Sequence, residues 1–113
     1  MEIEIRTRPD MAFQRVLLAQ ATVAEIMGVA LNDLCRNTRG DKHAALARQT
    51  AMYLCHSVFA MPINDIADAF GRDRSTVRHA IRLIDFHREA DTGVDRICAW
   101  LEASLQRAEG LDV

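Results

Sequence analysis

The segment from Ile63 to Arg82 constrains the fold of this 113-residue chain more than any other. It reads Ile-Asn-Asp-Ile-Ala-Asp-Ala-Phe-Gly-Arg-Asp-Arg-Ser-Thr-Val-Arg-His-Ala-Ile-Arg. Two short helices that meet closely at a fixed angle need a small residue at their crossing, and Ala67 supplies it. Four residues on, the turn needs a residue that tolerates positive φ, and Gly71 stands there. Six residues further, the second helix must drop an apolar side chain into the core, and Val77 does so. Ile66, Phe70 and Ala80 supply the other buried contacts. This is the spacing of a helix-turn-helix. Arg72 is the one atypical position, because an apolar residue is usual in that turn.

The second helix of the motif has two faces. Val77, Ala80, Ile81 and Ile84 follow i, i+3, i+4, i+7 and predict a core-facing stripe. The opposite side carries Arg74, Ser75, Arg78, His79 and Arg82. A helix laid in a major groove brings its N-terminal residues to base edges and its later ones to phosphates. Arginine can take guanine with two hydrogen bonds, and Ser and Thr can donate to or accept from bases. A second basic element precedes the motif: Arg36, Arg39, Lys42 and His43, then Arg48-Gln49. It is placed to reach a phosphate or a narrow minor groove.

Around this segment the chain reads as helices with short connections. Met1 to Arg6 alternate in polarity, which suggests either a tail or a short strand pairing with a second chain, with residues 1–9 outside the domain. From Pro9-Asp10 a long helix follows, with Phe13, Val16, Leu17, Gln20, Val23, Ala24 and Met27 near helical spacing and Gly28 as its stop. Val29 to Leu34 makes a short helix around Leu31 and Leu34. Ala44 to Phe59 is strongly helical, with Leu46, Met52, Tyr53 and Phe59 as candidate core. Asn64 or Asp65 is placed to cap the helix ending at Gly71, and Asp73 to cap the next. Val94 to about Arg107 closes the domain, with Ile97, Trp100, Leu101 and Leu105 on one stripe. The expected fold is all-α, about six helices over residues 10–108, with 109–113 as a tail. Five glycines and two prolines are too few for a turn-rich β-sandwich.

These residues resemble a family. Val23-Ala24-Glu25, then Ala45 to Leu54 with Arg48-Gln49 inside it, then Asp65 to Ala80, are similar to the C-terminal DNA-binding domain, domain IV, of the bacterial replication initiator DnaA. The resemblance runs from about Ala21 to Ser104. The family signature is Gly-Gly-Arg-Asp-His-Thr-Thr-Val with a His two residues on. This chain has Gly71-Arg72-Asp73-Arg74-Ser75-Thr76-Val77 and then His79. The resemblance implies a fold like that of the Trp repressor. It implies that Asp73, Arg74, Ser75, Thr76 and His79 face bases or adjacent phosphates, and that Arg48 and Gln49 hold the backbone. His56 stands where the family has a phosphate-binding Lys. Asn64 would add a backbone N–H contact at a helix N-terminus, and the basic loop would touch the minor groove through Arg39. Lys42, Arg72, Arg78 and Arg82 complete the candidate DNA-binding set. The chain departs from the family by one missing Gly in the turn, by Arg74 for His and by Ser75 for Thr. The family's minor-groove Arg falls at Gly40. Arg74 is expected to favour a guanine where His does not.

Composition bears on partners. The net charge of −2 excludes an indiscriminate polycation. It is unevenly spread: residues 36–88 hold nine basic against five acidic side chains, a local +4, and the remainder carries −6. The expectation is an oriented protein with one face for double-stranded DNA and an acidic back. A single motif reads few base pairs, so a homodimer through the N-terminal segment or last helix is expected. The alternative is a protein-interaction module that uses the acidic flanks, Glu89, Asp91, Asp95, Glu102 and Glu109, without reading DNA. No catalytic role is expected, because the histidines are scattered without a nucleophile beside them. Cys35, Cys55 and Cys98 have no metal-ligand spacing, so no metal site and no cofactor are expected. The chain has no GxxxxGK[ST], so nucleotide binding is not expected and the protein reads as a stand-alone DNA reader. The start lacks a secretory pattern and no stretch is long and apolar enough for a membrane span, which points to the cytoplasm and the nucleoid.

Overall fold

A computed structural model describes the backbone of residues 2–35 and 41–109, and the side chains of 11–35 and 41–109. Six helices follow one another: α1 (Glu2–Met27), α2 (Leu31–Cys35), α3 (Lys42–Ser57), α4 (Ile63–Phe70), α5 (Arg74–Ala90) and α6 (Thr92–Ala108). No strand occurs among the described residues.

The centre of the fold is α3. Ala44, Ala47, Ala51, Met52, Leu54 and Cys55 are all buried, and α3 touches each of the other five helices. Its alanines let neighbouring helices approach closely, and Met52 and Leu54 fill the space between them. Asp41 starts the helix: its carboxylate accepts from the backbone N–H groups of His43 and Ala44, both at 3.1 Å. Those donors have no partner inside the helix, so the cap satisfies them. Burying an aliphatic side chain of the size of Leu54, Ile66 or Ile84 stabilises the fold by about 1.5–3 kcal/mol.

In α1, Val16, Ala19, Gln20, Val23 and Ala24 form the buried stripe at helical spacing. Gly28, at φ 68°, ends it, and the Val29 N–H donates back to the Ala24 carbonyl at 2.9 Å. Leu17 lies beside that stripe and Phe13 a turn beyond its end, so both stay exposed, as does Leu31 on α2. The alternation over Met1 to Arg6 does not give a strand. The backbone is helical from Glu2 and runs through Pro9 into the rest of α1. A helix satisfies its own N–H and C=O groups, whereas a lone strand has nothing to pair with.

Other boundaries shift for local reasons. Pro62 is the N-cap of α4 in extended backbone (φ −63°, ψ 152°), so Asn64 and Asp65 lie inside the first turn rather than capping it. Asp73 does occupy the N-cap of α5, but its side chain makes no capping hydrogen bond. A single residue, Asp91, ends α5 and starts α6, accepting from the Gly93 N–H at 2.8 Å. In α6 the buried stripe is Cys98, Leu101 and Leu105, and Ile97 and Trp100 sit a third of a turn away, half exposed. Glu109 is no tail residue: its carboxylate pairs with Arg15 at 3.0 Å and ties the end of α6 to α1.

Arg88 binds three elements together. Its guanidinium donates to Asp95 at 2.7 Å, to Glu102 at 2.9 Å and to the Tyr53 hydroxyl at 3.0 Å, joining α5, α6 and α3. Burial alone would lower the Arg88 pKa, but these three hydrogen bonds together raise it above its ordinary value.

Candidate nucleic-acid interface

The turn between α4 and α5 sets the geometry of the site. Gly71 takes the left-handed conformation (φ 64°, ψ 38°). Its N–H donates to the Asp68 carbonyl at 3.3 Å, and the Arg72 N–H donates to the Ala67 carbonyl at 3.0 Å. This pair of bonds is the Schellman closure, which satisfies the last carbonyls of α4 and redirects the chain. A residue with a Cβ is strained at that φ, which accounts for the glycine. Ile66, Ala67, Val77, Ala80 and Ile84 are buried where the two helices meet the core. The spacing of Ala67, Gly71 and Val77 therefore does in three dimensions what it implies in one.

With Val77, Ala80 and Ile84 turned inward, the opposite side of α5 faces outward. Arg74, Ser75, Thr76, Arg78, His79 and Arg82 are all exposed. Ser75, Arg78, His79 and Arg82 share one face by helical periodicity. Neither Arg78 nor Arg82 has an ion-pair partner among the described residues. The same face continues past Arg82 to Phe86, which is 63% exposed, and to Glu89. It is basic over its first half only.

α4 and α5 pack against each other. Asn64, Ala67, Asp68, Arg72, Asp73 and Arg74 line an open polar groove between them. The Arg74 guanidinium donates across it to the Asn64 side-chain carbonyl at 3.4 Å. Asn64 and Arg74 are thus brought together although ten residues separate them.

The remaining candidates are more scattered. Lys42 and His56 are both exposed, but they stand at opposite ends of α3, about 20 Å apart along its axis. Gln49 is half-buried. Arg39, with Arg36, lies outside the described residues. Arg48 is turned toward the protein interior. It is only 6% exposed, and its guanidinium donates to the carbonyls of Leu34 at 2.8 Å and Asp33 at 3.2 Å. With these bonds Arg48 satisfies two carbonyls at the end of α2. Burial first, and then the positive charge of Arg72, hold its pKa below the ordinary value. Arg72, the atypical turn residue, therefore belongs to the same neighbourhood as Arg48. His43 also works internally, its ring Nε2 bonded to the Met27 carbonyl at the end of α1.

Two features could not be found by sequence reasoning. One is the Asn64–Arg74 contact, which depends on how α4 and α5 cross. The other is the sequestration of Arg88, which counts toward the local charge but faces two carboxylates. No helix of the described residues is long and apolar enough to cross a membrane.

Comparison with known proteins agrees with this geometry. The bacterial dnaA protein helix-turn-helix family matches residues 18–84. The chromosomal replication initiator protein DnaA of Laribacter hongkongensis is 38% identical over 88 residues, covering 77% of this chain and 18% of that protein. The corresponding protein of Aquifex aeolicus is 36% identical over 81 residues, covering 71% and 20%. DnaA 2 of Protochlamydia amoebophila is 32% identical over 105 residues, covering 92% and 22%. The chain thus spans about a fifth of the length of these relatives. Among solved structures, a DNA replication initiation factor superposes with a TM-score of 0.77 at 29% identity, over 91% of this chain and 31% of that one. The replication initiator DnaA bound to AMPPCP and single-stranded DNA gives 0.73 at 26% identity, over 90% and 32%. Motif, turn geometry and relatives agree, and the chain belongs to the bacterial DnaA helix-turn-helix family.

Proposed function

We propose that this protein binds double-stranded DNA in a sequence-specific manner, with α5 as its reading helix. It acts as a replication-initiation factor at initiator-type boxes or as a small transcription regulator on such sites. The observation that carries this reading is the exposed face of α5: Ser75, Arg78, His79 and Arg82 on one side of a helix whose other side is core. Arginines without carboxylate partners gain most from phosphates, because each phosphate contact releases condensed counterions. In this reading Arg74, Ser75 and Thr76 meet base edges, while Arg78, His79 and Arg82 meet base edges or phosphates further along. The relatives named as chromosomal replication initiators support a role in initiation. On this reading the protein acts on nucleoid DNA.

We also propose that it works as a homodimer, with α6 as the interface. Half-exposed Ile97 and Trp100 on α6 favour this reading, because large apolar side chains side by side gain from being covered. Selection of bound duplexes from a random library, followed by gel shifts over a salt series, tests the DNA reading. A recovered initiator box ties the protein to replication control, and a palindromic site makes it a dimeric regulator. A slope of log K against log salt near zero refutes DNA reading and favours a protein-interaction module.

A further inference from the structure

Arg74 differs from its neighbours on the exposed face in having a side-chain partner. That partner is Asn64, near the start of α4, at 3.4 Å, and not Asp68 or Asp73, which line the same groove. The choice of partner has a chemical consequence. A guanidinium can only donate, so the Asn64 carbonyl oxygen must face it, and the Asn64 amide then points its two N–H donors away. A neutral amide holds an arginine weakly, and a guanine edge with two acceptors can compete with it or add to it. A carboxylate holds an arginine more strongly, because it adds a full opposite charge to the hydrogen bond. An arginine at the first turn of a reading helix that paired with Asp68 or Asp73 would be withdrawn from DNA. An arginine with no partner would sample many rotamers and lose that freedom on binding.

We propose that Asn64 is a positioning residue for Arg74. It holds the guanidinium at the mouth of the groove between α4 and α5, so that the remaining N–H donors meet a guanine in the major groove of duplex DNA. The inference rests on the DNA-reading role of α5 and assigns to Asn64 a part in sequence preference beyond any backbone contact. The pair forms a two-residue device, one member from each helix of the motif. It sets one base of the target.

The test is a double-mutant cycle read as base preference. Full-length wild type, Asn64→Ala, Arg74→Ala and the double variant are titrated against a duplex selected by the wild type. The same duplex with each other base at the Arg74-dependent position is titrated in parallel, along with an unrelated duplex. The wild type is expected to prefer guanine there by about tenfold, the scale of one good two-bond base contact. Arg74→Ala removes that preference. Asn64→Ala lowers it at least about threefold and changes nothing further once Arg74 is gone. Unfolding midpoints of all four proteins in urea are expected to coincide, because both side chains are exposed. A uniform loss of affinity on every duplex with guanine preference intact would make Asn64 a backbone contact and overturn the proposal. Preference that survives Arg74→Ala, or an Asn64→Ala effect that is the same without Arg74, overturns it as well. If the wild type binds no duplex, the DNA reading itself falls and the proposal with it. That outcome is distinct, because it appears before any substitution is made.

Discussion

Arg82 and Arg88 lie within two turns of each other on α5, and the protein uses them in opposite ways. Arg82 is exposed, with no ion-pair partner among the described residues. Arg88 is enclosed by Asp95, Glu102 and Tyr53 and holds three helices together. The local charge of +4 over residues 36–88 counts both equally. A potential that draws in DNA comes from cations not already neutralised nearby. Arg88 therefore contributes to architecture, and Arg74, Arg78 and Arg82 are the arginines of α5 left for a ligand. A charge count along the sequence measures supply, and the fold decides how much of it faces outward.

The contrast between the inward and outward sides of α5 can be broken by substitution, and the largest effect is expected at the core. Ile84→Ala removes a fully buried side chain on the inward side of α5 and should cost about 2–5 kcal/mol of stability in urea unfolding. Arg88→Ala should cost about 2 kcal/mol, more than an exposed pair is worth, because it leaves the Glu102 carboxylate, 24% exposed, without its cation. DNA affinity per folded molecule should be unchanged in that variant. A DNA-binding loss larger than the folded fraction explains would place Arg88 in the interface and erase the contrast.

A third effect separates core from face by pH. Burial pushes the Cys55 thiol up from 9.0 to about 12. The folded state therefore keeps its proton where the unfolded state has lost it. The contribution is complete below pH 9 and is lost as pH rises toward 12, at about 1.4 kcal/mol per pH unit. Unfolding midpoints measured between pH 8 and 10.5 should fall less steeply in Cys55→Ala than in the wild type. The smallest stability effect is expected for Arg82→Ala, within about 0.5 kcal/mol. Its signature lies elsewhere, in a slope of log K against log salt that becomes shallower by about one. A destabilised Arg82→Ala protein with an unchanged salt slope would reverse the roles assigned to the two arginines.

Much of the fold was legible because the signals are local. Gly28 and Gly71 end helices at positive φ, and their neighbours make the expected closing bonds. The i, i+3, i+4, i+7 pattern of Val77, Ala80, Ile81 and Ile84 identified the inward side of α5. Burial is less legible than periodicity. Phe13, Leu17, Ile97 and Trp100 are apolar at helical spacing, yet no neighbouring helix covers them fully. Periodicity reports which residues share a face and not whether another element reaches it. The N-terminal alternation misled for the opposite reason, since a strand pattern carries meaning only with a partner strand to pair with.

The candidate site divides in the same way. Sequence alone determined the motif spacing, the outward face of α5 and the family resemblance. Each of these depends on separations of a few residues along one helix or turn. Only the tertiary structure decided that Arg48 turns inward to the α2 carbonyls, that Arg88 is neutralised by α6, and that Asn64 meets Arg74. Those outcomes depend on which helices cross and where their ends fall. A long arginine side chain can satisfy any acceptor within its reach, and the packing of the six helices selects which acceptor that is.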